Sequence, residues 1–164
     1  MRTHAMIDSP MGVLTLVASD GALSGVYMED HLHAPDPSTF GDRADAGFEE
    51  AAEQLGQYFA GERTAFTLRT RLLGSEFQRR VWQAVSGIPY GQTWTYAQLA
   101  GEVGRPDRLR AVAATNGRNP LAVVVPCHRV IGSDGSLTGY AGGLARKRFL
   151  LDLERTGATQ EQLF

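Results

Sequence analysis

The chain holds one cysteine, Cys127, and one lysine, Lys147, among 164 residues. A single thiol excludes an internal disulfide framework and every multi-cysteine zinc site. Long apolar runs are also missing. The longest, Leu-Ala-Val-Val-Val at 121–125, is far short of the roughly 20 residues that a membrane-spanning helix needs. The opening residues Met1 to Ala5 begin no apolar stretch of the kind a secretory signal requires. Apolar residues at 43% and charged residues at 21% exclude a disordered or fibrous chain. A soluble, cytoplasmic protein with no membrane partner is expected. Its length suits one domain or two small lobes.

The net charge of −2 conceals an uneven distribution. Residues 1–66 contain three arginines against eleven acids, whereas residues 67–164 contain thirteen basic residues against seven acids. A basic second half suits contact with a polyanion, and it equally suits two solvated faces that happen to differ.

The first half reads as β-rich. Apolar stretches at 11–18 and 21–28 meet at Ser19-Asp20-Gly21, a hairpin signal. Residues 30–45, rich in Pro, Asp, His and Gly, read as an exposed loop. Phe48, Ala51, Ala52, Leu55 and Phe59 then fall on one helical face. A last strand is expected at 66–72, and Leu73-Gly74-Ser75 marks the boundary between lobes at 1–73 and 74–164.

The second half reads as helical. Ser75 is a candidate N-cap, followed by the apolar stripe Phe77, Val81, Trp82 and Val85. Thr95 and Gln98 have the spacing of a capping box. Tyr96, Leu99, Ala100 and Val103 follow at i, i+3, i+4 and i+7, and Gly104 with Pro106 ends that helix. Asp107 is expected to cap a third helix that turns Leu109, Val112 and Ala113 inward. Two short helices across a Gly-containing turn fit a helix-turn-helix. The third helix combines arginines with three alanines, which suits close approach to a nucleic-acid backbone and also suits ordinary helix packing.

Chemistry concentrates at 119–130. A β-branched run at 121–125, expected as a short buried strand, delivers Pro126-Cys127-His128-Arg129-Val130. A base and positive charge nearby would turn the thiol into a nucleophile; otherwise Cys127 is an inert buried thiol. Adjacent residues of an extended chain point to opposite faces, so a water or an irregular backbone must join Cys127 to His128. Gly139-Tyr140-Ala141-Gly142-Gly143 can form one wall of a flat pocket. Glu154 shares the apolar face of Leu150 and Leu151. It either pairs with a group such as a histidine or reaches water at the helix end.

These motifs resemble the O6-alkylguanine-DNA alkyltransferase family. The resemblance rests on Val125 to Val130, Asn119-Pro120, Gly139 to Gly143, Ile88 to Gly91 and Thr95-Tyr96, and it is strong over about residues 75–155. It implies an α/β (α+β) fold, with a small ribonuclease H-like sheet-and-helix lobe before a mainly helical lobe bearing the helix-turn-helix. It also implies irreversible, one-to-one transfer of an alkyl group from O6 of a flipped-out guanine, less readily O4 of thymine, to Cys127. Double-stranded DNA would be bound through its minor groove.

Carried over by position, Glu154 orients His128, His128 deprotonates Cys127 through a water, Asn119 braces the cysteine turn, and Tyr140 helps protonate the leaving base. Val130, Tyr140, Ala141 and Gly142 line the alkylguanine pocket. Tyr96, Arg110, Ala111, Ala114 and Arg118 meet DNA, with Arg110 entering the duplex and Tyr96 crowding the target phosphate. Some relatives hold zinc through two cysteines and two histidines. With Cys127 alone, neither a metal nor a cofactor is expected here, and no obligate protein partner is inferred. Many relatives carry serine where this chain has Ala141, so only a backbone contact is available there. Relatives with tryptophan in place of the cysteine only bind lesions. Two other readings stand beside transfer: a lesion sensor with a spectator cysteine, and a cysteine hydrolase using Cys127, His128 and Glu154.

Overall fold

A computed structural model describes residues 1–163, with side chains through residue 156. The expected lobe end at Phe164 lies outside the described residues. The first half builds a four-stranded sheet in the order β3-β2-β1-β4, from β1 (Arg2–Ile7), β2 (Leu14–Ser19), β3 (Ala22–Met28) and β4 (Asp42–Arg43). Neighbours are antiparallel except β1 and β4, which run parallel. The expected hairpin forms between β2 and β3, where Asp20 and Gly21 both adopt positive φ, 50° and 83°. Two such residues in a two-residue loop match the twist of the flanking strands.

One strand was not expected, one loop carries short elements, and one expected strand is absent. Residues 2–7 form a strand that the pattern did not announce, because His4 and Met6 break the apolar alternation. The loop at 30–45 contains a 3₁₀ turn at Pro37–Thr39 and the short β4. Residues 66–72 are not a strand; only an isolated bridge joins Thr70 to Leu23. That contact has a purpose in packing. Leu23 N–H donates to Arg69 O and Arg71 N–H to Leu23 O, while Val26 N–H donates to Pro120 O. The outer edge of β3 is thereby covered by two segments of irregular chain, and an open sheet edge is removed.

Helix α1 (Glu49–Phe59) crosses to the second half. Its buried face is Ala51, Gln54, Leu55 and Tyr58. Ala52 and Phe59, expected on that face, are half-buried. Helix α2 (Glu76–Val85) starts at Ser75, whose side chain accepts from Gln78 N–H while Gln78 reaches back to Ser75 N–H. Helix α3 (Tyr96–Val103) has the expected box between Thr95 and Gln98 and ends at Gly104 with φ 81°, a left-handed cap open to glycine at no cost. Helix α4 (Leu109–Gly117) follows a 3₁₀ turn at Pro106–Arg108. Asp107 does not cap it: its carboxylate pairs with Arg105 instead. Leu109 lies on the solvent side, 43% exposed, whereas Val112 is fully buried. Trp82 Nε1 donates to Thr115 O at 2.9 Å, which fixes α4 against α2. Short strands β5 (Trp94–Thr95) and β6 (Val130–Ile131) pair in parallel, and α5 (Leu144–Leu163) closes the chain. One apolar core runs through both halves, from Leu14 and Leu55 to Val112 and Leu150. No helix of the described residues is long and apolar enough to cross a membrane.

Candidate active site

The run at 121–125 is a tight turn rather than a strand. Val124 N–H donates to Ala122 O and Val125 N–H to Leu121 O, both at 2.8 Å. Val123 sits at φ 71°, which costs a β-branched residue steric strain. Burial explains why the apolar run misled: a short buried segment reads the same whether it is extended or coiled. The Asn119 carboxamide holds the turn closed. Its Oδ1 accepts from Leu121 N–H at 2.9 Å, and its Nδ2 donates to Val125 O at 2.7 Å and to Cys127 Sγ at 3.2 Å. One side chain therefore sets both the loop and the thiol. Asn116 Nδ2 adds a longer contact to Cys127 O, 3.4 Å.

Cys127, His128 and Arg129 make a single 3₁₀ turn, all three buried. This is the irregular backbone that a cooperating Cys-His pair requires. His128 Nε2 lies 2.7 Å from Glu154 Oε2. An ionised carboxylate only accepts, so the ring proton sits on Nε2 and the Nδ1 lone pair is left basic. Nδ1 is buried and has no partner within the described protein. Burial pushes the His128 pKa down, with Glu154 opposing.

Glu154 is 1% exposed and does not reach water. Arg129 clamps it with two bonds of 2.8 Å, from Nε and Nη2, and Tyr58 OH donates to Oε2 at 2.6 Å. Burial alone would raise its pKa, but the donors from His128 and Arg129 prevail and bring it to about 2. Arg129 thus directs its guanidinium at Glu154. It neutralises the carboxylate, donates through Nη1 to Ile88 O at 2.7 Å, and lies over the Tyr90 ring. A buried charge held this way has each of its strong acceptors satisfied.

Burial pushes the Cys127 thiol up, partly offset by the Asn119 donor and the Lys147 charge. These influences together favour the neutral thiol over the thiolate. Lys147, 0% exposed, donates to Val130 O at 2.6 Å and Thr138 O at 2.8 Å. Burial brings its pKa down to about 8. Its site was legible after all, since Lys147, Leu150 and Glu154 fall at i, i+3 and i+7 on one helix face.

The pocket loop lies nearby. Tyr140 is half-buried, its hydroxyl is unpaired within the described protein, and burial, then the Cys127 charge, raises its pKa. A Cβ at Gly142 would crowd Met28 Sδ and the Tyr140 ring, so a side chain there requires these neighbours to shift. Ala141 O accepts from Leu32 N–H at 2.8 Å. Arg146 joins Gly142 O to Glu29 O and Met11 O. Tyr96 OH donates to Thr138 O at 3.1 Å, so this ring borders the same loop. Arg110, Ala114 and Arg118 are exposed along one stripe of α4, and Ala111 is half-buried beside them. Among the described residues, no group of three or more His, Cys, Asp or Glu could hold a metal.

Sequence spacing did not reveal Tyr58, Arg146 or the clamping role of Arg129, whose partners lie far along the chain. Comparison with known proteins places the chain in a family. Residues 3–72 match the family model described as 6-O-methylguanine DNA methyltransferase, ribonuclease-like domain, and residues 76–156 match its DNA binding domain. A methylated-DNA–protein-cysteine methyltransferase of Mycolicibacterium paratuberculosis is 52% identical over 157 residues, covering 94% of this chain and 93% of that protein. One from Methanosarcina acetivorans is 44% identical over 92% of this chain and 97% of its own. The crystal structure of the Mycobacterium tuberculosis O6-methylguanine methyltransferase superposes with a TM-score of 0.87 at 46% identity, covering 95% and 94% of the two chains. A structure of the Mycobacterium tuberculosis OGT in complex with DNA gives 0.86, also at 46% identity, covering 94% of each chain. The chain belongs to the methylated-DNA–protein-cysteine methyltransferase family.

Proposed function

We propose that this chain repairs alkylated DNA by direct reversal, taking the alkyl group of O6-alkylguanine, and less readily of O4-alkylthymine, onto Cys127. The supporting observation is the buried relay in which Glu154 fixes His128 with its Nδ1 lone pair free, next to a thiol held by Asn119. His128 accepts the Cys127 proton through a bridging water. The sulfur attacks the alkyl carbon, the S–C bond forms, and the bond to O6 breaks. The base leaves neutral on gaining a proton, and the Tyr140 hydroxyl assists that step. An S-alkylcysteine has no good leaving group, so water does not restore the thiol. One molecule therefore repairs one lesion.

The target base leaves the stack to reach the pocket formed by Val130, Tyr140, Ala141 and Gly142. Extrusion costs a few kcal/mol, and less for a mispaired lesion. The exposed stripe Arg110-Ala114-Arg118 enters the minor groove, where small side chains permit close approach and Arg110 fills the emptied position. Tyr96 crowds the target phosphate. The described residues and this chemistry call for no cofactor, and a cytoplasmic setting suits a free thiol.

Mass analysis of tryptic peptides, after mixing with duplex containing O6-methylguanine, tests the reading. One methyl on the Cys127 peptide per repaired base is expected. Multiple turnover favours a hydrolase, and binding without transfer favours a lesion sensor.

A further inference from the structure

The exposed stripe of α4 runs on to the C-cap residue Arg118, and Arg118 also lines a cleft of about 320 Å³. The far wall belongs to the first half and includes Arg2, Tyr27, His33 and Phe40. Residues 1–66 carry eleven acids, yet none of the described residues lining the cleft is acidic. Asp36 lies next to lining residue Pro35, but its carboxylate is occupied by Ser38 N–H at 2.9 Å. Arg2 opposes the rise that burial imposes on the Tyr27 phenol. Burial, then Arg146 and His33, keeps His31 neutral, with its pKa brought down to about 4. Tyr27 and Phe40 stack at 5.3 Å with planes 6° apart, which gives the cleft a firm apolar side.

We propose that this cleft receives a backbone phosphate of the duplex beyond the lesion, carrying the DNA footprint from α4 onto the first lobe. It rests on the repair reading above. A phosphodiester fits because it carries one negative charge and only acceptors, and Arg2 and Arg118 offer only donors. Its sugar packs against the aromatic side. From Arg110 to Arg118 the helix advances about 12 Å, or roughly three to four base-pair rises along a duplex. The contacted phosphate therefore lies several base pairs from the extruded base, on one side of it.

The test measures binding of the full-length protein to unmodified duplex across a salt series, for wild type, Arg2→Ala and Arg2→Lys. On a long duplex, Arg2→Ala should lower the slope of log K against log salt by about 0.9, the value for one lost phosphate contact. Affinity at low salt should fall about three- to tenfold, with Arg2→Lys largely restoring it. Trimming the duplex to two base pairs on one side of the α4 footprint should erase the difference between wild type and Arg2→Ala. An unchanged slope for Arg2→Ala, while Arg110→Ala still weakens binding, rejects the cleft and leaves the repair reading intact. A loss that persists unchanged on the trimmed duplex also rejects it. If Arg110→Ala has no effect either, the DNA reading itself fails.

Discussion

The Tyr58 hydroxyl donates to Oε2 of Glu154 at 2.6 Å, joining α1 of the first half to α5 across 96 residues. Both groups are buried, and Oε2 is the same oxygen that meets His128. The acidic first half thus supplies part of the carboxylate's solvation, which water provides in an exposed site. Tyr58→Phe removes that donor and leaves the ring packing in place. Stability should fall by about 1–2 kcal/mol in denaturant titration. The single-turnover transfer rate should fall as well, since the oxygen that orients His128 loses a fixed partner. Unchanged stability and rate together would show that the bond contributes nothing.

Glu154 also makes a pH prediction. Its pKa in the folded protein is about 2, against 4.5 for the free group. A carboxylate lowered on folding stabilises the fold fully above the higher value and loses that contribution as pH falls through the lower one. The difference corresponds to about 3 kcal/mol. Wild type should therefore lose stability between pH 4.5 and 2, and Glu154→Gln should show a flatter profile over that interval. Equal acid sensitivity in both proteins, measured by denaturation at each pH, would place the titrating groups elsewhere.

Local signals were legible in the sequence. The hairpin at Asp20-Gly21, the caps at Ser75, Thr95 and Gly104, and the stripes of α2 and α3 depend on residues within four positions of each other. Failures came where distant contacts override local preference. Asp107 yields to Arg105 because an adjacent guanidinium competes for its carboxylate. Phe66, Leu68 and Leu72 alternate inward because this segment covers β3, not because it extends a sheet. The turn around Val123 is held by Asn119, whose influence on an otherwise strand-like run no periodicity displays. Residue types alone left Cys127 and Glu154 each with two readings, and the family resemblance joined them to His128, whereas the surrounding donors, Tyr58 and Arg129, required the folded geometry.

Asn119 couples turn stability to thiol chemistry, and two substitutions separate these effects. Asn119→Ala orphans Leu121 N–H and Val125 O in a buried site, for a cost of about 2–4 kcal/mol. Asn119→Asp keeps the acceptor for Leu121 but replaces the donor at Sγ with negative charge. That change pushes the thiol pKa further up. The pH profile of transfer to free O6-benzylguanine should then move to higher pH in Asn119→Asp. A profile that stays in place would mean the 3.2 Å contact does not tune the sulfur.

Arg146 is a further link between halves, and its geometry predicts an effect on substrate binding rather than on the chemical step. Nη1 donates to Glu29 O at 2.6 Å and to Gly142 O at 3.3 Å, and Nε to Met11 O at 3.2 Å. With the bond from Leu32 N–H to Ala141 O, it ties the pocket loop to the sheet lobe. Arg146→Ala should loosen the loop without touching Cys127, His128 or Glu154. The half-saturating concentration of free O6-benzylguanine should rise about tenfold, equivalent to roughly 1.4 kcal/mol, while the limiting transfer rate changes little. Arg146→Lys should not rescue it, because one ammonium does not span three carbonyls in a planar fork. A fall in limiting rate at constant half-saturation would instead mean that Arg146 acts on the reacting sulfur through the fold.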